Sequence, residues 1–125
     1  MSKVNHTRIY ADADGESHFE EVDVDLKLVE FAPPAPPGYI SAPIPAARLF
    51  FGVVPPGYCA DWHPTPFRQL VVYTAGEVEF ETSDGGTRRI GPGSIVLVED
   101  TTGKGHRSRV VGAGEAVSMG VQLSE

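Results

Sequence analysis

The chain has 125 residues, of which 41% are hydrophobic and 22% are charged, as expected for one soluble globular domain with a sizeable core. Its formal net charge of −7 argues against nucleic acid as a partner, since contacts to phosphates require a basic surface, and against docking on an anionic membrane. The only cysteine, Cys59, excludes an intrachain disulfide. The sequence lacks a signal-like N-terminus and any apolar run of membrane-spanning length, so we expect a cytoplasmic location.

The N-terminal third of the chain is predicted to contain one strand between two irregular segments. Residues 1–17 are polar and are predicted to form an arm ahead of a single domain over residues 18–125. Residues 18–31 alternate between apolar and charged side chains, which is typical of a half-buried strand. The proline-rich residues 32–39 cannot join a central strand, because proline lacks the backbone donor and has a fixed φ. We expect a stiff connection there, lying along the domain's own edge or across a neighbouring subunit.

The rest of the chain is predicted to consist of short strands separated by turns. Apolar or alternating runs occupy residues 47–54, 68–74, 77–82, 87–90, 94–99, 106–111 and 114–124. The sequence Asp84-Gly85 between two of these runs is typical of a hairpin turn, because both residue types tolerate the backbone angles that such turns need. Many short strands with frequent turns and no helical periodicity predict an all-β fold, built as an antiparallel sandwich or barrel.

The stretch from Gly57 to Gly76 has a characteristic spacing of glycines and polar residues. Five residues separate Gly57 from His63, and six separate Gln69 from Gly76. This spacing resembles the first motif of the cupin family, in which two histidines and a glutamate stand between the glycines. In this chain Thr65 stands at the position of the second histidine, and Gln69 stands at the position of the glutamate.

A second stretch resembles the other cupin motif. Gly93 and Ser94 stand for its first turn, residues 95–98 for its apolar strand, and His106 for its histidine, with a longer loop before it. The resemblance covers roughly residues 45–111 and identifies the chain as similar to a small single-domain cupin with a degenerate metal motif. It implies an all-β double-stranded β-helix, the jelly-roll barrel. Similar small cupins are usually homodimers, so the resemblance also implies a homodimer.

The resemblance makes His63, Gln69 and His106 the candidate metal ligands. Similar cupins hold a divalent ion inside the barrel with three histidines and one glutamate. Thr65 is too short and too weak a donor to replace an imidazole, and the remaining set is neutral. A buried dication would therefore lack the carboxylate that burying its charge demands. We expect no cofactor or one weakly held divalent metal, such as iron, nickel, manganese or zinc. Both histidines could instead be hydrogen-bonded structural residues of the barrel.

The same three residues, His63, His106 and Gln69, are the candidate catalytic residues if no metal binds. Imidazole titrates near neutral pH and can pass protons in either direction. The Gln69 side chain is suited to orient one ring or a substrate carbonyl. Strand alternation and sequence position predict four further residues around a small organic molecule in the cavity, namely Thr65, Tyr73, Glu99 and Ser108.

The leading functional hypothesis is a small-molecule enzyme that performs non-oxidative proton-transfer chemistry, as a lyase, isomerase or dehydratase. Dioxygen chemistry is less favoured, because it needs a firmly held redox metal at an open site. Two alternatives stay open. One is a metal-dependent dioxygenase-like cupin that uses His63, Gln69 and His106 as ligands. The other is a non-catalytic cupin that binds a small ligand.

Other polar residues have a weaker case for a functional role. Glu99 could be a carboxylate base or replacement ligand in the cavity, or could hold its loop through backbone amides. Asp100 is predicted to cap that loop, and Cys59 is predicted to be a small packing residue. Residues 103–106 lack the spacing of a phosphate loop, and residues 110–116 lack the third glycine and following helix of a dinucleotide fingerprint. No nucleotide cofactor is therefore expected.

Overall fold

The protein, described here by a computed structural model of residues 3–125, has β-strands as its regular secondary structure. The strands are β1 (Asn5–Ala11), β2 (Ser17–Asp23), β3 (Lys27–Val29), β4 (Gly38–Ile40), β5 (Ala46–Val54), β6 (Cys59–His63), β7 (Gln69–Ala75), β8 (Glu77–Thr82), β9 (Thr87–Ile90), β10 (Ile95–Val98), β11 (His106–Val111) and β12 (Ala116–Leu123). Within residues 3–125 no helix has the length and apolar composition needed to cross a membrane.

Strands β5 to β12 form two sheets in a nested order. The larger sheet contains β10, β7, β12 and β5 as neighbours, and the smaller sheet contains β6, β11, β8 and β9. The antiparallel pairs are nested: β5 pairs with β12, β6 with β11, β7 with β10, and β8 with β9. This is the strand order of a jelly roll, as if one long hairpin were rolled up. The all-β jelly-roll fold predicted from the sequence is therefore confirmed.

Strands β1 and β2 extend the larger sheet beyond β10, where the sequence predicted a polar arm over residues 1–17. β1 pairs in parallel with β10 and antiparallel with β2, so the sheet is mixed at this edge rather than antiparallel throughout. The arm prediction is corrected for residues 5–11, because alternate side chains of β1, Thr7 and Ile9, are buried. One of these two buried residues, Thr7, is polar, so β1 has no regular alternation of apolar and polar residues that the sequence could reveal. Residues 1–2 of the predicted arm lie outside the described part of the chain.

Residues 18–31, predicted as one strand, form two. β2 ends at Asp23, and β3 pairs with β4 in a separate two-stranded sheet. The prediction failed because the alternation of apolar and charged residues continues from β2 into β3 without a break. The apolar side chains of β3 do not pack on either large sheet, and Leu28 is 60% exposed. Residues 32–37 of the proline-rich segment lie in the loop between β3 and β4, as the lack of backbone donors favours, whereas Gly38 and Tyr39 of the predicted connection belong to β4. Together β3, β4 and this loop are called the β3–β4 hairpin.

The hydrophobic core lies between the two large sheets. Its buried members are Ile9, Tyr73, Val78, Phe80, Ile90, Val96, Val98, Val110 and Ala116. These residues come from β1, β7, β8, β9, β10, β11 and β12, and β5 adds only the partly buried Val54, which packs against them. The space beside the edge strands β5 and β6 is occupied by the cavity described below.

The corner between β7 and β8 shows why one motif glycine is needed. Gly76 has a φ of 77°, a left-handed conformation that side chains other than glycine's rarely adopt. A Cβ atom there would also overlap the backbone carbonyl of Glu115. The glycine that closes the first motif is therefore fixed by the turn and by the close approach of β12.

Candidate active site

A cavity of about 340 Å³ lies between the sheets beside β5 and β6. Six of the seven side chains predicted to form a site line it, namely His63, Thr65, Gln69, Tyr73, His106 and Ser108. Apolar residues such as Phe50, Val71 and Phe80 supply much of the remaining wall. A concave, mainly apolar space with a few polar groups is the usual form of a small-molecule site.

His106, the first residue of β11, is buried against Asp100 at the side of the cavity. Its Nδ1 lies 2.7 Å from Oδ2 of Asp100, and the two residues are 5% and 0% exposed. A carboxylate accepts hydrogen bonds, so we assign the ring proton to Nδ1, which leaves Nε2 of the neutral ring as an acceptor. The other carboxylate oxygen, Oδ1, is buried without a hydrogen-bond partner among the described residues.

Sequence reasoning missed this function of Asp100. The residue was predicted to cap the loop, and its backbone carbonyl does accept the N–H of Thr65 at 3.1 Å. Its side chain, however, reaches across the loop to His106. The sequence feature that could have indicated this contact is the position of Asp100, six residues before His106 and just after the apolar strand at residues 95–98. That spacing alone does not distinguish a loop cap from a partner of the imidazole.

His63 ends β6 and is exposed at the opening of the cavity. Its Nδ1 lies 2.6 Å from the backbone carbonyl oxygen of Asp61, which can only accept. Nδ1 therefore donates, and Nε2 is again the free acceptor in the neutral ring. The ring centroids of His63 and His106 are 4.9 Å apart, with an angle of 52° between the planes. Both imidazoles are thus held through Nδ1 and keep Nε2 for a ligand or substrate.

Backbone geometry explains why the two imidazoles adjoin. His63 and His106 are direct partners in the β6–β11 ladder, and the register shifts immediately after this pair. Gly105 precedes His106 with a φ of 73°, and a Cβ atom there would overlap the His63 backbone carbonyl. The Gly105 carbonyl also accepts the hydroxyl of Ser17 at 2.6 Å. Position 105 therefore requires glycine, because its backbone lies directly against that of His63.

Thr65 and Gln69 form a short hydrogen-bond chain in the cavity wall. Nε2 of Gln69 donates to Oγ1 of Thr65 at 3.0 Å, and this hydroxyl donates to the backbone carbonyl of Phe67 at 2.9 Å. Thr65 is only 3% exposed. The threonine at the second-histidine position thus orients the Gln69 amide group. The Gln69 carbonyl oxygen remains a possible acceptor for a bound molecule.

Tyr73 supplies a neutral hydroxyl group to the deep part of the cavity. Burial, with a smaller contribution from Tyr58, raises the pKa of Tyr73 to about 12. Its ring packs edge-on against Phe80 with the centroids 6.3 Å apart. The phenol therefore stays protonated near neutral pH and can donate a hydrogen bond to a bound oxygen atom.

Glu99 does not line the cavity, which corrects the prediction for this residue. Val98, the last residue of β10, points inward, and Glu99 directly after it points outward. The two carboxylate oxygens of Glu99 each lie 2.7 Å from a guanidinium Nε, one of Arg8 and one of Arg68. Burial alone would raise the pKa of Glu99, but the hydrogen bonds from these two arginines outweigh it and hold the pKa below its ordinary value. Glu99 is therefore an ionised residue of an outer network. Its carboxylate contacts neither imidazole.

The donor groups in the cavity do not fit a tightly held divalent metal. The residues that the structure describes contain no group of three or more His, Cys, Asp or Glu placed to hold one ion. His63, His106 and Gln69 offer two imidazoles and one amide, and the Asp100 carboxylate is engaged with His106 Nδ1. A buried dication would lack a directly bound negative ligand.

The lining of the cavity is also free of permanently charged side chains. None of the described residues that line it is Asp, Glu, Lys or Arg. Arg107 and Arg109 instead pair with Glu81 and Glu79 on the outside of the smaller sheet, as alternation predicts. Cys59 is exposed and does not line the cavity, so it is not the packing residue that was predicted.

Comparisons with known proteins give only distant structural likeness. No family model and no curated protein matches the chain. Protein NMB1881 from Neisseria meningitidis is 21% identical over 61% of this chain and 74% of its own, with a TM-score of 0.44. A cupin domain from Bordetella pertussis tohama I is 19% identical over 62% and 80%, with a TM-score of 0.45. The Schizosaccharomyces pombe Cnp3 cupin domain is 12% identical over 99% and 86%, with a TM-score of 0.45.

Likeness at these identities carries no conclusion about the function of this chain. The fold rests on the chain's own strand pairing, which is nested from β5 and β12 inward to β8 and β9. That strand order is the jelly roll that the two cupin-like motifs imply.

Proposed function

We propose that the cavity is the active site of a small-molecule enzyme that transfers protons without an oxidation step, in the class of lyases, isomerases and dehydratases. The observation that supports this most strongly is the buried pair of His106 and Asp100, with 2.7 Å between nitrogen and oxygen. A second imidazole, that of His63, lies 4.9 Å away between ring centroids. Two imidazoles at one substrate can serve as base and acid.

His106 is the proposed general base. With Nδ1 donating to Asp100, the lone pair of Nε2 is available to take a proton from a carbon atom of the substrate. The imidazolium that forms keeps its bond to the carboxylate, which stabilises the new positive charge. Asp100 thus positions the ring and compensates its charge without taking up the proton.

His63 is the proposed general acid. It is exposed at the cavity opening and can exchange protons with solvent. In its protonated form, Nε2–H can donate to a second substrate atom. If that atom is carbon, the substrate is isomerised. If it is the oxygen of a hydroxyl leaving group, water departs as the carbon–oxygen bond breaks and a double bond forms. No electrons leave the substrate in either case.

The remaining polar groups favour an uncharged substrate with a carbonyl or enol oxygen. A buried charge without a partner is unfavourable, and the described lining offers no permanent charge to pair with a carboxylate or phosphate. The neutral Tyr73 hydroxyl can donate to an oxygen atom that becomes negative when the neighbouring carbon loses its proton. Phe50, Phe80 and the valines of the wall favour an apolar or aromatic carbon skeleton.

A weakly held metal is the second candidate. Both rings keep Nε2 free, and a carboxylate behind the Nδ1 of a histidine, as in the pair of Asp100 and His106, is common among metal-bound histidines. His63, His106 and Gln69 would then be the ligands of iron, nickel, manganese or zinc. Metal content and the effect of a chelator separate this candidate from the proposed one.

The test is solvent deuterium incorporation into a panel of uncharged cyclic ketones and hydroxyketones, followed by NMR with and without a chelator. We expect exchange at least about 100-fold faster than in buffer, unchanged by the chelator. Loss of exchange on chelation would favour the metal-dependent candidate. Binding of panel compounds without exchange would favour a ligand-binding protein, and either result would contradict the proposed function.

A further inference from the structure

Gly52 lies inside β5 and lines the cavity, although its backbone does not require glycine. The residue does not have a positive φ, and a Cβ atom there would meet Oγ of Ser118 at 3.5 Å, an ordinary van der Waals contact. Gly52 pairs with Ser118 in a regular register, without a bulge at this point. Glycine inside a strand lowers stability, because its backbone loses more freedom on folding than that of any other residue. The reason for glycine here is therefore the space in front of it.

Other glycines close to the cavity differ from Gly52 in this respect. Gly76 and Gly105 both combine a left-handed φ with backbone atoms that a Cβ atom would overlap. At Gly120, on β12, a Cβ atom would overlap the ring of Phe50, which packs against this backbone. Gly52 shows neither constraint. A glycine inside a strand often marks a place where a ligand comes close to the backbone.

Gly52 belongs to a row of three inward-facing residues that crosses the larger sheet. Strand pairing places Gly52 opposite Ser118 on β12, and Ser118 opposite Tyr73 on β7. All three residues line the cavity, and we call them the Gly52 row. The register between β12 and β7 shifts immediately before Ser118, and such bulges re-aim side chains and are frequent beside active sites. The row therefore presents bare backbone at one end and two hydroxyl groups along the rest.

Polar groups around the Gly52 row lack partners within the described part of the chain. No described residue forms a hydrogen bond with the hydroxyl of Ser118 or with that of Tyr73, although Tyr73 is only 9% exposed. On the facing sheet, His106 is 5% exposed and engages Asp100 through Nδ1, which leaves Nε2 free. Buried polar groups normally find hydrogen-bond partners. Three unpaired groups around one space therefore point to a bound molecule that pairs with them.

The dimensions of this space fit a single six-membered ring. Gly52 and Tyr73 lie on strands two spacings apart, which is about 10 Å. The cavity volume of about 340 Å³ is close to the lower limit of about 300 Å³ for small-molecule sites. Phe50 and Val71, in the neighbouring inward row, supply apolar walls. A ring with its oxygen at the two hydroxyls would have its opposite edge over the backbone of Gly52.

We propose that the Gly52 row is a subsite for the ring of an uncharged cyclic ketone or hydroxyketone. The ketone oxygen accepts hydrogen bonds from Ser118 and Tyr73, and the carbon across the ring, position 4, lies at Gly52. Gly52 thereby determines which substituents fit at position 4, and Ser118 is a second donor beside Tyr73. The subsite rests on the function proposed for the cavity, because it takes the same class of substrate, but its occupancy can be measured without turnover.

The size of the subsite is tested with cyclohexanone and its 4-methyl and 4-tert-butyl derivatives, titrated by NMR into wild type, Gly52→Ala and Gly52→Val. We expect wild type to bind all three. Gly52→Val should weaken binding of 4-tert-butylcyclohexanone by at least about tenfold, with cyclohexanone changed by less than about twofold and Gly52→Ala intermediate. Gly38→Val, on β4 of the β3–β4 hairpin, is the matched control, since its added Cβ atom also meets open space. It should change no affinity.

Separate readouts distinguish failure of the subsite from failure of the proposed function. Size-dependent binding without solvent deuterium incorporation would keep the subsite and contradict the chemistry. A wild type that binds none of the three ketones, or a Gly52→Val variant that affects all three equally, would overturn the subsite. We also expect Gly52→Ala to melt no lower than wild type. A clearly lower melting temperature would show that the fold itself needs this glycine, and would overturn the proposal as well.

Ser118→Ala tests the other part of the row and covers the case in which Gly52→Val fails to fold. Loss of one hydrogen bond to the ketone oxygen should weaken cyclohexanone binding about fivefold. Methylenecyclohexane, which has a carbon atom in place of that oxygen, should bind equally to wild type and variant. Equal weakening of both compounds would show that Ser118 acts through the fold, and unchanged binding of both would show that it does not donate to the oxygen. Either result would contradict the proposal.

Discussion

Two histidine–carboxylate clusters in this protein differ in burial and in how many ring nitrogens are engaged. His106 and Asp100 are almost fully buried beside the cavity, and their contact uses one ring nitrogen and one carboxylate oxygen. His18 lies in a more open position between two carboxylates. Its Nε2 is 2.7 Å from Asp12, and its Nδ1 is 2.9 Å from Asp84.

In the cluster of His18, Asp12 and Asp84, both ring nitrogens and both carboxylates have hydrogen-bond partners. Both nitrogens of His18 face carboxylate oxygens, so the protonated ring can donate from each nitrogen. The hydrogen bond that the His18 ring donates to Asp12 is the main cause that raises the pKa of His18, and the hydrogen bond to Asp84 adds to it. Asp12 also accepts the backbone N–H groups of Asp14 and Glu16. The cluster thereby ties the β1–β2 turn to the β8–β9 turn.

The difference between the clusters indicates a different use for each histidine. His18 has no free ring nitrogen, so its cluster can stabilise the fold but has nothing to offer a substrate. His106 keeps Nε2, and Asp100 keeps one oxygen without a partner among the described residues. Incomplete pairing in a buried place is unfavourable for stability and is common at functional sites. The following predictions test that division.

The largest expected effect is on catalysis. His106→Gln removes the proposed base and should lower the rate of deuterium exchange by about 1,000-fold, within the usual range for a general base. His18→Gln, the matched change in the other cluster, should leave the rate unchanged. Rates measured by NMR on both variants check this. Equal rates for the two variants would remove the distinction between the clusters.

Asp100→Asn should have the next largest effect. An amide can donate to Nδ1 of His106, which stabilises the tautomer with the proton on Nε2 and removes the acceptor from the cavity. We expect a loss of exchange rate of about 100-fold, at the low end of the range for general acid–base catalysis, with ligand affinity unchanged. Nitrogen-15 chemical shifts of the His106 ring report the tautomer directly. An unaltered tautomer together with an unaltered rate would show that Asp100 is only a structural residue.

Gly105→Ala tests the backbone between the two imidazoles. The alanine would adopt a left-handed φ and overlap the His63 carbonyl, so we expect a loss of about 3 kcal/mol of unfolding free energy. Gly112→Ala is the control, because Gly112 has a similar φ of 82° but nothing within 4 Å of the added atom. It should lose only about 1 kcal/mol. Equal losses in chemical denaturation would show that the close approach to His63 has no cost.

The smallest expected effect is a pH-dependent change in stability from His18. Because the folded pKa of His18 lies above its ordinary value of 6.5, its contribution is complete below that pH and disappears as pH rises through the folded pKa. The pKa of Asp12, and that of Asp84, is lowered from 3.8, so their contribution disappears as pH falls through the folded values.

The measurement is the melting temperature of His18→Gln against wild type at several pH values. The variant should melt lower than wild type at a pH below 6.5, and the difference should shrink as the pH rises through the folded pKa of His18. Asp14→Asn changes a neighbouring exposed carboxylate that does not contact His18, and it should show no such dependence. A deficit that is the same at every pH would mean that the imidazolium does not stabilise the turns.

The sequence by itself determined most of the barrel. Turn glycines and short apolar runs predict β5 and β7 to β12 within a few residues, because alternation and turn chemistry are local properties. The spacing from Gly57 to Gly76, with His106 beyond it, led to six residues that line one cavity. Strand alternation carries this information, since it decides which side chains share a face.

Only the tertiary structure decided which polar groups meet. Glu99 lies outside with Arg8, from which it is separated by 91 residues, and the parallel pairing of β1 with β10 brings them together. The side chain of Asp100 turns to His106 because the loop folds back between strands of different sheets. Alternation along one strand fixes the side on which a residue points. The partner it meets there depends on strands distant in sequence, so neither contact could be read from local pattern.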